Sequence, residues 1–290
     1  MRKWFDWKLP VIFLLAAVLI WEAADIRRVI WGGEGQALPV LMYHHIDEVS
    51  DKGTVVSAAV FREQMAALHE AGYHAVSIPQ VIAFVREGAP LPDKPVLITM
   101  DDGYTSNLTR AAPVLEELGM CATVFVIGVN EGEKVDVHSG WKLWQARFSY
   151  EEAAPWVDKG VIDVQSHTFD MHQLASYGYS GRDGALRMDG ESGEDYRQAV
   201  LEDARQARER RGERVSTKLL AMSYPFGYYN QEADALEKEA GYEVTLTIDE
   251  RINRLREGDE SCLRMMGRFN MTEDLSGAKL VKRLDWFFKE

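Results

Sequence analysis

From Gln36 onward, short apolar runs alternate with stretches whose apolar residues recur every three to four positions, the pattern of strand and helix units around a parallel sheet. Eight runs stand out: PVLMYH (39–44), HAVSI (74–78), PVLITM (95–100), ATVFVI (122–127), IDVQSH (162–167), LLAMSY (219–224), EVTLT (243–247) and LRMMG (263–267). Most are apolar on both faces, as strands buried between a barrel interior and a layer of helices must be. They predict an α/β fold closed into a barrel. A helix is expected over 58–71, with Ser57 as its N-cap, Phe61, Met65 and Leu68 on one face and Gly72 just past its end. Another is expected before Gly119, and 277–290 reads as a closing helix. LEDARQARERRGER (201–214) mixes both charge signs above an apolar stripe of Tyr196, Ala199, Val200, Ala204 and Ala207, which describes a solvated helix. The long irregular stretch 173–194, rich in glycine and charge, has the length of loops that are functional or mobile.

The first 35 residues break this pattern. MRKWFDWK carries Arg2, Lys3 and Lys8 ahead of LPVIFLLAAVLIW, thirteen residues without a charge, which is the order of a secretory signal. A cleavage site ending at Ala23 or Ala24 would put Trp21 or Glu22 at the third position back, where a small residue is needed. The segment 1–35 is therefore expected to be a retained hydrophobic signal-anchor helix and linker, with its basic end in the cytoplasm. The body, 36–290, would then be extracytoplasmic and membrane-anchored, or secreted if the segment is cleaved. A buried core helix is the alternative, since thirteen residues fall short of a bilayer's thickness. With 46 acidic against 33 basic residues, the net charge of −13 argues against nucleic acid as a partner. Cys121 and Cys262 lie apart at the edges of apolar segments, as buried core residues would, and suggest neither a disulfide framework nor a metal site.

In a barrel of this kind the chemistry sits where strands end, at their C-terminal edge. After 95–100 come Asp101, Asp102 and Gly103. Neighbouring side chains on a strand point to opposite faces, but a turn at Gly103 lets both carboxylates reach the mouth. One could bind a metal while the other stays free as a base; an aspartate placed to cap a following helix is the simpler alternative. After 162–166 comes SHTFDMH, with His167 and His172 five residues apart. On a helix that spacing turns the side chains apart by about 140°, so the segment must turn back to bring both to one metal. Two imidazoles and a carboxylate from another strand leave open positions for water, as a hydrolytic metal site requires. After 219–223, SYPFGYYN makes a tight turn at Pro225 and Gly227, crowded by Tyr224, Phe226, Tyr228 and Tyr229, rings that would suit a sugar face or the lip of the core. His44 and His45 end the first strand, and His138 and Trp141 follow 122–127.

Together these stretches resemble the polysaccharide deacetylases, carbohydrate esterases built on the NodB homology domain. TMDDG resembles the family's first motif, SHTFDMH its second and YPFG its third, within a likeness running from Pro39 to Met271. PVLMYHHI and the wide histidine spacing make the chain most similar to the poly-N-acetylglucosamine deacetylase branch. The resemblance implies a distorted (β/α) barrel of seven or eight strands. It implies that Asp102, His167 and His172 hold a divalent metal, zinc by preference, and that Asp101 is the general base. The expected substrate is an N-acetylated cell-surface or biofilm polysaccharide, held near Trp141 and the turn Tyr224, Pro225, Phe226 and Gly227, whose backbone would support the oxyanion. A peptidoglycan deacetylase and a carbohydrate-binding pseudoenzyme are the alternative readings. The chain departs from the family in three places. A late leucine-x-histidine motif is replaced by MGRFNM with Arg268, Ser223 stands where an arginine orients the base, and a late Asp-x-x-Asp-Trp motif is not recognisable. We therefore expect His44 as the acid that protonates the amine, with Arg268 orienting Asp101. His45 should point to the other side of the strand.

Overall fold

A computed structural model describes residues 34–50, 53–138 and 145–288. Its main sheet has seven parallel strands in the order Val244–Leu246, Ala221–Ser223, Ile162–Ser166, Ala122–Val126, Pro95–Met100, Val40–Tyr43 and Phe269–Asn270. His74–Ala75 adds to Pro95–Met100 off that path. The sheet curls until its edges meet on one segment: Met266 bridges to Leu246, and Phe269 pairs with Leu41. The result is a distorted (β/α) barrel. All six residues of Pro95–Met100 are buried, one face inside the barrel and the other beneath helices.

Local sequence explains where the elements begin and end. Ser57 caps the helix Ala58–Glu70 by accepting the Val60 N–H, and Phe61, Met65 and Leu68 pack inward. The closing helix Gly277–Asp285 packs against it so tightly that a Cβ at Gly277 would lie 2.6 Å from the Ala67 Cβ. Gly193–Arg211 buries Tyr196, Val200, Ala204 and Ala207, and with them Arg211, and exposes most of its other charges.

The expected strand 74–78 is only His74–Ala75, because Ser77 and Gln80 form a capping box that starts the helix Ile78–Glu87. The expected strand 263–267 begins in a 3-10 turn, Glu260–Leu263, and passes through left-handed Met265 (φ 49°), so ladder pairing resumes only at Phe269–Asn270. Gln36–Leu38 pairs antiparallel with Asn253–Leu255, and His45–Asp47 pairs in parallel with Val55–Ser57, neither in the main sheet. Cys121 and Cys262 are half-buried free thiols rather than core residues. The stretch 173–194 is pinned by a buried ion pair, Arg182 to Glu191 at 2.6 Å, and by the Tyr196 hydroxyl donating to the Ala185 carbonyl. The hydrophobic N-terminal helix expected within 1–35 falls on residues outside those described. Among the described residues no helix is long and apolar enough to cross a membrane.

Candidate active site

Asp101 is the last residue of its strand still held in the ladder, donating its N–H to the Tyr43 carbonyl at 2.9 Å. The chain then takes two left-handed steps, Asp102 at φ 73° and Gly103 at φ 72°. The turn thus begins one residue earlier than expected, at a non-glycine residue that is strained there. Gly103 also has little room, since a Cβ would come within 3.1 Å of Val126. The second carboxylate is swung toward the mouth that the first already faces.

His167 ends the strand Ile162–Ser166, and the next residue, Thr168, is also left-handed (φ 66°), unusual for a β-branched side chain. The loop is held by Asp203, whose carboxylate accepts the N–H groups of Phe169 and Asp170 at 2.7 and 2.8 Å. Burial pushes the Asp203 carboxyl up to about 6, against the pull of those two donors. The fold-back brings the rings of His167 and His172 to 4.8 Å between centroids, which resolves their five-residue spacing.

Asp102, His167 and His172 offer donor atoms within 4.8 Å of one another. Asp102 Oδ1 lies 3.6 Å from His167 Nε2 and 3.4 Å from His172 Nε2. His167 Nδ1–H donates to the Ser223 carbonyl at 2.9 Å, which leaves its Nε2 lone pair facing the carboxylate. Burial lowers both imidazoles, His172 to about 4, so both are neutral near pH 7. Burial would raise the Asp102 carboxyl, but Arg147 and the neighbouring histidines hold it well below the ordinary range. Two lone pairs converging on an ionised oxygen fit a divalent cation.

Asp101 stays outside this set. Fully buried Arg268 grips it in two parallel bonds, Nη1 to Oδ1 at 2.7 Å and Nη2 to Oδ2 at 2.8 Å. The guanidinium is itself fixed by the Thr247 carbonyl at 2.8 Å and by Thr99 Oγ1 at 3.3 Å. Burial alone would raise the Asp101 carboxyl; Arg268, helped by His167, overcomes this and lowers it. Ser223, at the place of the missing arginine, donates to Asp101 at 3.4 Å and contacts His167 Nδ1 at 2.7 Å.

His44 is half-buried at its strand end, with its carbonyl held by Asn107 at 2.8 Å, close enough to contribute to the lowering of both aspartates. His45 is buried on the other side against Ser106 (2.7 Å) and Asp47 (3.3 Å). The ring of Tyr224, expected at the mouth, is instead fully buried with its hydroxyl on Asp234 at 2.8 Å. Pro225 is buried, left-handed Phe226 lays its ring 4.3 Å from that of His172, and Gly227 leaves no room for a Cβ against Ile248. Trp141 lies outside the described residues.

Beside the triad runs a cleft of about 140 Å3 lined by His172, Phe226, Tyr177, Tyr179, His138 and Arg147, among others. His138 bonds to Asp170 at 2.5 Å and stacks on Tyr179. Arg147, Tyr104 and Asp203 were not foreseen: none belongs to a recognisable motif, and only Tyr104 adjoins one. The Arg147 guanidinium lies 3.8 Å over the Tyr104 ring and 3.9 Å from Asp102 Oδ2.

A polysaccharide deacetylase family model matches residues 88–245, more than half of the chain. The chain belongs to the polysaccharide deacetylase family. The matched span holds Asp101, Asp102, His167, His172 and the 224–227 turn, whereas His44 and Arg268 lie beyond it. The Bacillus subtilis protein YxkH is 29% identical over 212 residues, covering 73% of this chain and 64% of that protein. The poly-beta-1,6-N-acetyl-D-glucosamine N-deacetylase of Escherichia coli K12 is 28% identical over 224 residues, 72% of this chain and 33% of that protein. This deacetylase-family chain thus matches less than two thirds of the length of either relative. The solved structure of IcaB from Ammonifex degensii superposes with a TM-score of 0.70 at 25% identity, covering 87% of this chain and 98% of that one.

Proposed function

We propose that the protein is a metal-dependent N-deacetylase that releases acetate from an N-acetylated cell-surface or biofilm polysaccharide resembling poly-N-acetylglucosamine. The observation that carries this reading is a three-donor site, Asp102, His167 and His172, beside a carboxylate, Asp101, that is ionised and committed to an arginine instead. The name of the E. coli relative supports the substrate class. The charged N-terminal run and the apolar segment after it support a place at the outer face of a membrane.

Held by the triad, zinc would polarise the amide carbonyl and make nearby water more acidic. The chain's own residues do the rest. Asp101 accepts the proton of the attacking water, and Arg268 keeps its second lone pairs and its orientation fixed. Within the turn, the Tyr224 and Gly227 N–H groups are spent on the Leu246 and Tyr224 carbonyls, so the Phe226 N–H is the donor left for the oxyanion. His44 protonates the departing amine.

The test is acetate release from N-acetylglucosamine oligomers, with metal content measured on the same sample. About one zinc per chain and release of acetate are expected; a protein with bound metal that releases none from any N-acetylated polymer would sink the reading. His44→Ala should lower turnover about 10²-fold with metal content unchanged, the size of a lost general acid. Unaltered turnover in that variant would move the acid role elsewhere.

A further inference from the structure

Arg147 is more than a counter-charge. Its side chain is only 10% exposed, yet its Nε and Nη1 have no hydrogen-bond partner, and Asp102 Oδ2 at 3.9 Å is beyond hydrogen-bonding range. A buried guanidinium with idle donors is costly, and stacking on Tyr104 satisfies only its face. In the same cleft Gln173 spends its amide nitrogen on the Asp170 carbonyl and carboxylate, which fixes its flip and leaves Oε1 without a partner. The cleft therefore holds one unsatisfied cationic donor and one unsatisfied neutral acceptor, next to His172 and Asp102.

Charge balance points the same way. Arg268 offsets Asp101 and Arg147 offsets Asp102, so a divalent ion in the triad would concentrate positive charge beside Arg147, with Asp136 and Asp170 the further carboxylates lining the cleft. An acceptor that is itself anionic gains most there, and a guanidinium binds a carboxylate in matching planar geometry. We propose that Arg147 is the carboxylate-binding residue of this cleft, holding either the acetate formed in the reaction or an acidic substituent on the sugar, with Gln173 Oε1 taking a sugar N–H or O–H. The proposal rests on the deacetylase reading for its ligand class, but not for its test.

That test is calorimetric titration of the zinc-loaded full chain, wild type against Arg147→Gln and Arg147→Lys, with sodium acetate, N-acetylmuramic acid and N-acetylglucosamine. Arg147→Gln should bind carboxylates at least about tenfold more weakly, the size expected for losing a charge-assisted bond, while Arg147→Lys keeps part of the affinity. N-Acetylglucosamine should bind all three proteins alike, which shows that the variants are folded. A loss confined to acetate assigns Arg147 to the product, and a loss confined to N-acetylmuramic acid assigns it to the substrate. Carboxylates that bind Arg147→Gln as they bind wild type, or fail to bind wild type at all, overturn the proposal. A wild-type chain that holds no zinc would instead defeat the metal reading, and the same titrations on the metal-free chain would still decide the role of Arg147.

Discussion

Asp101→Asn is expected to release acetate about 10³-fold more slowly than the wild-type chain while keeping its full complement of metal. The asparagine amide fits the same space and its oxygen can still accept from Arg268, although the buried guanidinium loses its counter-charge, so some loss of stability accompanies the loss of basicity. Metal retention follows because Asp101 contributes nothing to the donor set of Asp102, His167 and His172. The proposed roles separate the two adjacent aspartates, so Asp102→Asn should show the reverse pattern, with metal lost first. Asp101→Asn turnover within a few-fold of wild type would remove Asp101 from the mechanism. Parallel loss of metal in that variant would show that the two carboxylates act as one unit.

The second large effect concerns Arg268. Arg268→Met should destabilise the fold by about 3–5 kcal/mol, the usual cost of stranding one member of a buried ion pair. The readout that separates this from simple unfolding is the pH profile. Without Arg268, burial loses its main opponent at Asp101 and the pKa rises, so the acidic limb of kcat/KM should move to higher pH. Arg268→Lys restores a charge but not the paired donors and should fall between the two. The same linkage fixes the sign for stability. Asp101 is depressed in the folded chain, so its contribution is present above the unfolded carboxyl value of about 4 and is lost as pH falls through the folded value. An Arg268→Met variant whose pH profile does not move would reduce Arg268 to a packing role.

Much of this architecture was written in local patterns. Apolar runs bounded by turn residues marked the strands at 95–100 and 122–127 because burial on both faces leaves no other composition open to them. Ser57 and Gly72 announced their helix because capping is a local transaction. The reading failed where long-range partners decide. Nothing near Asp203 says that its carboxylate tethers a loop more than thirty residues earlier in the chain, and without it the spacing of His167 and His172 looks wrong for a shared ligand. Arg147 sits in QARFSYEE, which carries no motif; only the fold lays it over Tyr104. Tyr224 misled because aromatic crowding at a turn does not tell which ring faces inward, and the partner that draws it in, Asp234, lies on the following helix.

The bond between Arg268 and Asp101 spans 167 residues, while the three donor residues lie between positions 102 and 172. In a chain made from its N-terminus, residue 268 emerges after all three donors. A growing or partly folded chain could thus gather its metal ligands well before the segment from Met266 to Asn270 joins both edges of the sheet. That join delivers the guanidinium, so on the proposed mechanism the base is armed only when the barrel closes, and activity would report that the whole body has folded.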